Sequence, residues 1–312
     1  MCSGPPSAGR LVILVPYRDR KNYLDILLRE VPSYIERANA ISDYAIYVAE
    51  QQGEGLFNLA LSRNVAARAA LDDGVSQYFV FHDVDVIPVC GVDYGPRSFN
   101  VAWFLTAGSC KVIAGDFVRA NGYNPDFVGW GDEDVEFYHR LQHVGSEVRE
   151  WHRIPESRQA VVVNLEWPEL SDDEALVWSR RYFGYEGFGP RFVPYRTGSG
   201  SFERYDKSKD FLGPAQQQRN HALWNWVRGL PPDEKTAYIA RTGLNRVRAD
   251  RAVRSTQDRI RWIKYQTKDV LDPMPLQSGI VTEPHYPDPQ EAVKGTRAAS
   301  ATSPPGTDPG RP

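Results

Sequence analysis

The sequence predicts an α/β protein with a largely parallel sheet and helices on both faces. Three observations carry this: continuous apolar runs at Leu11 to Val15, Tyr44 to Ala49 and Tyr78 to Phe81; helix-forming stretches between them; and acidic residues gathered just past the third run. Apolar runs without polar alternation suit strands covered on both faces, and intervening helices supply the crossovers that parallel pairing needs.

Taken in order, Leu11-Val12-Ile13-Leu14-Val15 is the first strand, ended by Pro16. Tyr23, Leu24, Ile26, Leu27 and Val31 then recur near helical spacing, and Tyr44-Ala45-Ile46-Tyr47-Val48-Ala49 is the second strand. Asn58 to Leu71 is a good helix former, and the Tyr78 to Phe81 strand delivers Asp83 and Asp85 at its end. A helix beginning near Asp134 is expected to finish over Arg140 to Arg149, and Val161-Val162-Val163 is a further strand. Ser171-Asp172-Asp173-Glu174 ahead of Ala175-Leu176-Val177 is a capping box rather than a metal cluster. Tyr182 to Ser201, dense in Gly and aromatics, is a loop-rich region suited to acceptor contacts. From about Thr282 onward the chain is rich in Pro, Gly, Ser and Thr, and a disordered tail over 282–312 is expected.

Composition narrows the function classes. With 312 residues, 41% hydrophobic and 25% charged, the chain can bury a full core. A net charge of −3, with no basic stripe interleaved with aromatics, gives no reason to expect nucleic acid. Cys2, Cys90 and Cys110 have no metal spacing; they are too few for a disulfide framework, although a Cys90 to Cys110 bridge stays open. No segment approaches the roughly 20 apolar residues of a membrane span, and Met1 to Arg10 lacks the regions of a signal peptide. A cytoplasmic protein is expected.

The chemistry lies in two acidic clusters. Phe81-His82-Asp83-Val84-Asp85-Val86-Ile87-Pro88 places two carboxylates at a strand end, where an α/β sheet presents ligands. Gly129-Trp130-Gly131-Asp132-Glu133-Asp134-Val135-Glu136-Phe137 places three behind a Gly-Trp-Gly turn, suited to a catalytic base. An Asp-x-Asp at a strand end is more often a capped turn, and acidic residues at a helix start commonly complement its dipole. Together the clusters suggest metal-assisted group transfer.

Val15-Pro16-Tyr17-Arg18-Asp19-Arg20, Phe57-Asn58-Leu59-Ala60 with Asn64-Val65, the Phe81 to Pro88 segment, and Asn121-Gly122-Tyr123 leading into Gly129 to Asp134 occur in one order. They resemble the β-1,4-galactosyltransferase family (glycosyltransferase family 7) over about Leu11 to Leu141, with a fainter echo at Thr242-Gly243-Leu244-Asn245. His82 and Glu136-Phe137-Tyr138 look most like the branch that galactosylates xylose, and Asp134 to Phe137 is similar to the bacterial chondroitin-polymerase type. The resemblance implies a GT-A (Rossmann-like) nucleotide-sugar transferase fold in one domain over about 10–275, with a donor half to about 110 and an acceptor half beyond. It implies UDP-galactose or UDP-GalNAc as donor, a glycan acceptor, and Mn²⁺ or Mg²⁺ as cofactor.

By the same resemblance, Asp134 is the general base and Glu133 its catalytic partner on the acceptor sugar. Trp130, Gly131, Glu133 and Asp134 contact the acceptor, while Pro16, Tyr17, Arg18, Arg20, Phe57, Asp83, Asp85, Gly108 and Trp130 bind the nucleotide sugar. Asp85 is the metal ligand. Four departures stand out. Leu59 replaces an arginine, and Arg63, one helical turn on, could reach the same phosphate. Asp132 replaces a glycine, and Leu105, near a position where a bulky tyrosine restricts the donor to galactose, favours GalNAc tolerance. The family's later metal His is unassigned, with His152 and His221 as candidates. The leading expectation is an inverting metal-dependent transferase; a catalytically inactive carbohydrate- or UDP-binding protein is the alternative, and a metal-dependent phosphohydrolase a weaker third.

Overall fold

The computed structural model describes residues 11–74, 77–95, 101–102, 109–129, 131–149, 161–165, 173, 191–194 and 214–273. Strand β1 (Leu11–Tyr17), helix α1 (Lys21–Asn39), β2 (Tyr44–Gln51), α2 (Leu59–Asp72) and β3 (Tyr78–His82) form the first half. They are followed by β4 (Val86–Cys90), β5 (Val101–Ala102), β6 (Ser109–Ile113), α3 (Ala114–Arg119), α4 (Glu133–His143) and β7 (Val148–Arg149). Then come β8 (Val161–Asn164), β9 (Arg191–Pro194), α5 (Pro214–Gly229), α6 (Pro232–Arg241), β10 (Val253–Gln257), β11 (Ile260–Tyr265) and α7 (Thr267–Val270).

Among the described residues the main sheet has the order β10-β11-β2-β1-β3-β6. Its four inner strands, β11, β2, β1 and β3, run parallel, and the outer β10 and β6 run antiparallel to their neighbours. The continuous apolar runs are explained by two cores. Val12 and Leu14 of β1, Tyr47 and Ala49 of β2, and Phe79 and Phe81 of β3 enter one core with α2. Leu11, Ile13 and Val15, Ile46 and Val48, and Tyr78 and Val80 enter the other with α1. Successive strand residues point to opposite faces, so covering both faces demands an apolar residue at every position. The expected mainly parallel sheet with helices on both faces is found.

Several element boundaries differ from the sequence reading. β1 continues through Pro16 to Tyr17, since its pairing with β3 stops at Leu14 while that with β2 runs on to Tyr17. A proline is accommodated where the ladder is already one-sided. The helix begun near Asp134 stops at His143: Gly145 takes φ 74°, and the Gly145 and Ser146 N–H groups donate to Gln142 and Leu141 O, a Schellman ending. Val148 and Arg149, expected to be helical, form β7. Within the region read as loop-rich, Arg191–Pro194 is a strand paired to β8. Apart from the exposed helical Asp173, the capping-box segment lies outside the described residues, as does the C-terminal tail. Cys90 and Cys110 are free, and no described helix is long and apolar enough to cross a membrane.

Candidate active site

Parallel strands bring their C-terminal ends to one edge of a sheet, and the candidate residues follow those ends. After β1 come Arg18 and Arg20. The buried Arg18 guanidinium donates to the carbonyls of Gly53 (2.9 Å) and Gly55, so it shapes the loop after β2 rather than facing open space. Arg20 lies close enough for its charge to favour ionised Asp83. Pro16 and Tyr17 are buried in β1, opposite Ala49 and Glu50, and burial, with Glu50 nearby, pushes the Tyr17 phenol up to about 12. The same loop is closed by Gln51, whose side chain donates to Leu56 O and accepts from Asn58 N, both at 2.8 Å. That fixes Phe57, whose carbonyl accepts from Gly129 N at 2.9 Å.

The first acidic cluster turns between β3 and β4. His82, fully buried, places Nδ1 2.9 Å from Asp83 O and Nε2 2.8 Å from the Tyr94 hydroxyl, with the two rings stacked. Burial lowers its pKa to about 4, so it stays neutral and braces the turn. Asp83 and Asp85 are both partly buried. Asp85 O accepts from Leu165 N at 2.8 Å, while its carboxylate makes no hydrogen bond or ion pair among the described residues.

The second cluster reaches the first through clamps that sequence reasoning missed. Asn58 caps α2 by accepting from Leu61 N at 2.8 Å and donates to Pro125 O at 2.7 Å. Asn64 saturates the Tyr123 backbone, donating to its carbonyl at 2.7 Å and accepting from its N–H at 2.9 Å. From α5, Gln216 donates to Val128 O, and Asn220 to Val128 O and Gly131 O at 3.1 Å each. Asn121 binds the Thr242 to Asn245 echo: its carbonyl accepts from Leu244 N and its side chain bonds Asn245. A Cβ on Gly243 would fall 1.8 Å from Asn121 O, so only glycine permits that contact. Asn58 and Asn64 were visible as part of the resemblance; Gln216 and Asn220 carried no local signal.

Asp132, read from the sequence as replacing a glycine, takes φ 65°, a left-handed turn that Asp tolerates better than most residues. His221 Nδ1 stands 3.4 Å from the Asp132 carboxylate. Glu133 and Asp134 then open α4, and the buried Glu136 binds Arg140 at 2.6 Å one turn on, where Arg140 also donates to Thr242 Oγ1.

Both clusters meet at Arg63. From α2 its Nη2 is 3.0 Å from Asp83 Oδ1 and its Nη1 3.9 Å from Glu133 Oε1, with the guanidinium 4.9 Å over the Tyr123 ring. Burial and the Asp134 charge push Glu133 up to about 8, against the pull of Arg63. Burial likewise raises Asp134, again opposed by Arg63 and by the N–H of Val135. Such displaced carboxyls in one cluster are characteristic of acid–base sites. Asp83, Asp85, Glu133 and Asp134 are thus gathered at the strand ends. Gly108, Trp130, Leu105 and His152 lie outside the described residues.

Asn58, Asn64, Asn121 and the Asp-x-Asp turn lie within segments that match known families. The N-terminal region of glycosyl transferase group 7 matches residues 5–93, and the N-terminal domain of galactosyltransferase matches residues 102–161. The chain is 31% identical over 157 residues to β-1,4-galactosyltransferase 1 of Bos taurus, covering 46% of this chain and 39% of that protein. It is 32% identical over 154 residues to β-1,4-galactosyltransferase 5 of Sus scrofa, covering 45% and 39%. It therefore spans about two fifths of the length of these curated relatives. The catalytic domain of Drosophila β1,4-galactosyltransferase 7, solved with xylobiose, superposes with a TM-score of 0.51 over 85% of this chain and 94% of that one. At 20% identity this likeness establishes the GT-A α/β fold. The two matched regions lie in succession along one such fold, and over them the chain is similar to the glycosyl transferase group 7 family.

Proposed function

We propose that this chain is an inverting, metal-dependent glycosyltransferase that moves galactose or GalNAc from a UDP-sugar to a sugar hydroxyl. The observation that carries the reading is the meeting of Asp83 and Glu133 at one guanidinium, which puts the donor-side and acceptor-side clusters within one side chain's reach. Group transfer needs that proximity, because the acceptor oxygen must approach the anomeric carbon as the diphosphate leaves. The relatives named as β-1,4-galactosyltransferases support it, as does a complex of a point mutant of Drosophila β1,4-galactosyltransferase 7 with manganese, UDP-Gal and xylobiose.

In this reading Asp134 takes the proton of the acceptor hydroxyl while that oxygen bonds to the anomeric carbon and the bond from carbon to UDP breaks. Its raised pKa makes it a stronger base than a solvated aspartate. Glu133, protonated below about pH 8, donates a hydrogen bond to the acceptor sugar. Phe57 packs on the uracil, and Arg18 acts by holding the loop that carries it.

Asp85 fits a hard divalent cation, since its carboxylate has no protein partner among the described residues. No group of three His, Cys, Asp or Glu suited to a metal forms among those residues. Mn²⁺ or Mg²⁺ held by one or two carboxylates takes its other ligands from substrate phosphate and water. Such a metal, when bound, neutralises charge on the departing diphosphate.

Calorimetric titration of UDP with and without Mn²⁺ tests the site. Metal-dependent binding that Asp85→Ala abolishes is expected, followed by transfer from UDP-galactose to a xyloside; UDP-GalNAc assayed beside it decides donor breadth. Binding without transfer would favour a non-catalytic binding protein. Absence of UDP binding under every condition would sink the assignment.

A further inference from the structure

Arg63 has no part in the chemistry set out above, yet both clusters converge on it. Its side chain is 8% exposed, its Nη2 and Nη1 face Asp83 and Glu133, and its buried Nε has no hydrogen-bond partner among the described residues. A cation taken out of water this far is tolerated only where an opposing charge holds it, as Asp83 does at 3.0 Å. Position matters as well. Arg63 projects from α2, the helix whose Asn58 and Asn64 already grip the loop before α4, so one rigid element sets both the loop and the charge between the clusters.

We propose that Arg63 is a positioning residue for the transfer: it fixes the spacing of the donor-side and acceptor-side carboxylates and keeps Asp134 free to accept a proton. The inference rests on the glycosyltransferase reading. Among the described residues the titratable groups facing Asp134 are Arg63 from α2, Cys110 from β6, Tyr123 from the loop before α4, and Asp132 and Glu133 beside it. Of these only Arg63 is cationic. Removing it leaves burial and like charge to hold the proton on Asp134, so the acidic limb of the rate profile moves to higher pH.

The experiment measures kcat and KM for UDP-galactose and xylobiose from about pH 5 to pH 9, on the full chain carrying Arg63→Met, Arg63→Gln or Arg63→Lys, with thermal unfolding recorded for each. The neutral variants are expected to move the acidic limb of kcat up by about one unit, a roughly tenfold loss below the limb, and Arg63→Lys to restore most of it. Equal falls in all three variants with the limb unmoved would assign Arg63 to packing and overturn the inference. Where the neutral variants fail to fold, a folded Arg63→Lys protein that loses transfer equally at every pH, with the limb unmoved, would assign Arg63 to packing and overturn the inference as well. A wild type that transfers nothing overturns the glycosyltransferase reading itself, and the inference with it.

Discussion

Asp83 and Asp85 follow a strand paired on both sides and are braced by a buried neutral histidine, whereas Glu133 and Asp134 open a helix whose approach is held by amide side chains from α2 and α5. The first cluster inherits its place from the sheet. The second depends on individual hydrogen bonds made by residues distant in sequence. A strand end tolerates variation around it, while a side-chain clamp is exposed to single substitutions, because each buried group left unpaired costs its full desolvation.

The sharpest way to separate the two clusters is at the chemical step. Asp134→Asn should lower kcat by roughly 10²–10⁴ with UDP affinity kept, the range expected for loss of a general base. Unchanged turnover would remove Asp134 from the mechanism. The next effect concerns the clamp: Asn64→Ala leaves the Tyr123 N–H and C=O buried without their partner. It should cost about 2–6 kcal/mol in urea unfolding, at about 1–3 kcal/mol for each group, and lower transfer as well. A loss below about 0.5 kcal/mol would show that the second cluster does not rest on that amide.

The smallest effect is one of pH. The folded-state pKa of Glu133 is raised to about 8 from an ordinary 4.5, so its contribution to stability is complete below about 4.5 and is lost as pH rises through about 8. Glu133→Gln, which cannot ionise, should therefore melt a few degrees above wild type at pH 8 and lose that advantage at acid pH. Parallel melting curves across the range would show that Glu133 ionises as freely folded as unfolded.

Legibility divides along the same line. β1, β2 and β3 could be read from apolar runs because burial on both faces leaves a mark at every residue, and Asp83 and Asp85 could be placed because they follow such a run directly. Asn58 and Asn64 could be noted in a motif without their purpose being visible, since a helix cap and a loop clamp look alike in one dimension. Gln216 and Asn220 could not be found: a glutamine and an asparagine on a polar helix are ordinary until the Val128 and Gly131 carbonyls lie against them. Arg63 was expected to reach toward a phosphate. Its turn toward Asp83 and Glu133 follows from electrostatics among segments that meet only in the folded chain.

β11 lies against β2 inside the main sheet, although among the described residues it is the last strand in chain order and β2 the second. During synthesis β1, β2 and β3 can pair early, while one edge of β2 waits until nearly the whole described chain has emerged. The sheet's centre is thus sealed from the C-terminal side, and the molecule's birth is slower and more hazardous than its finished core suggests, with an apolar edge open to wrong partners in the interval.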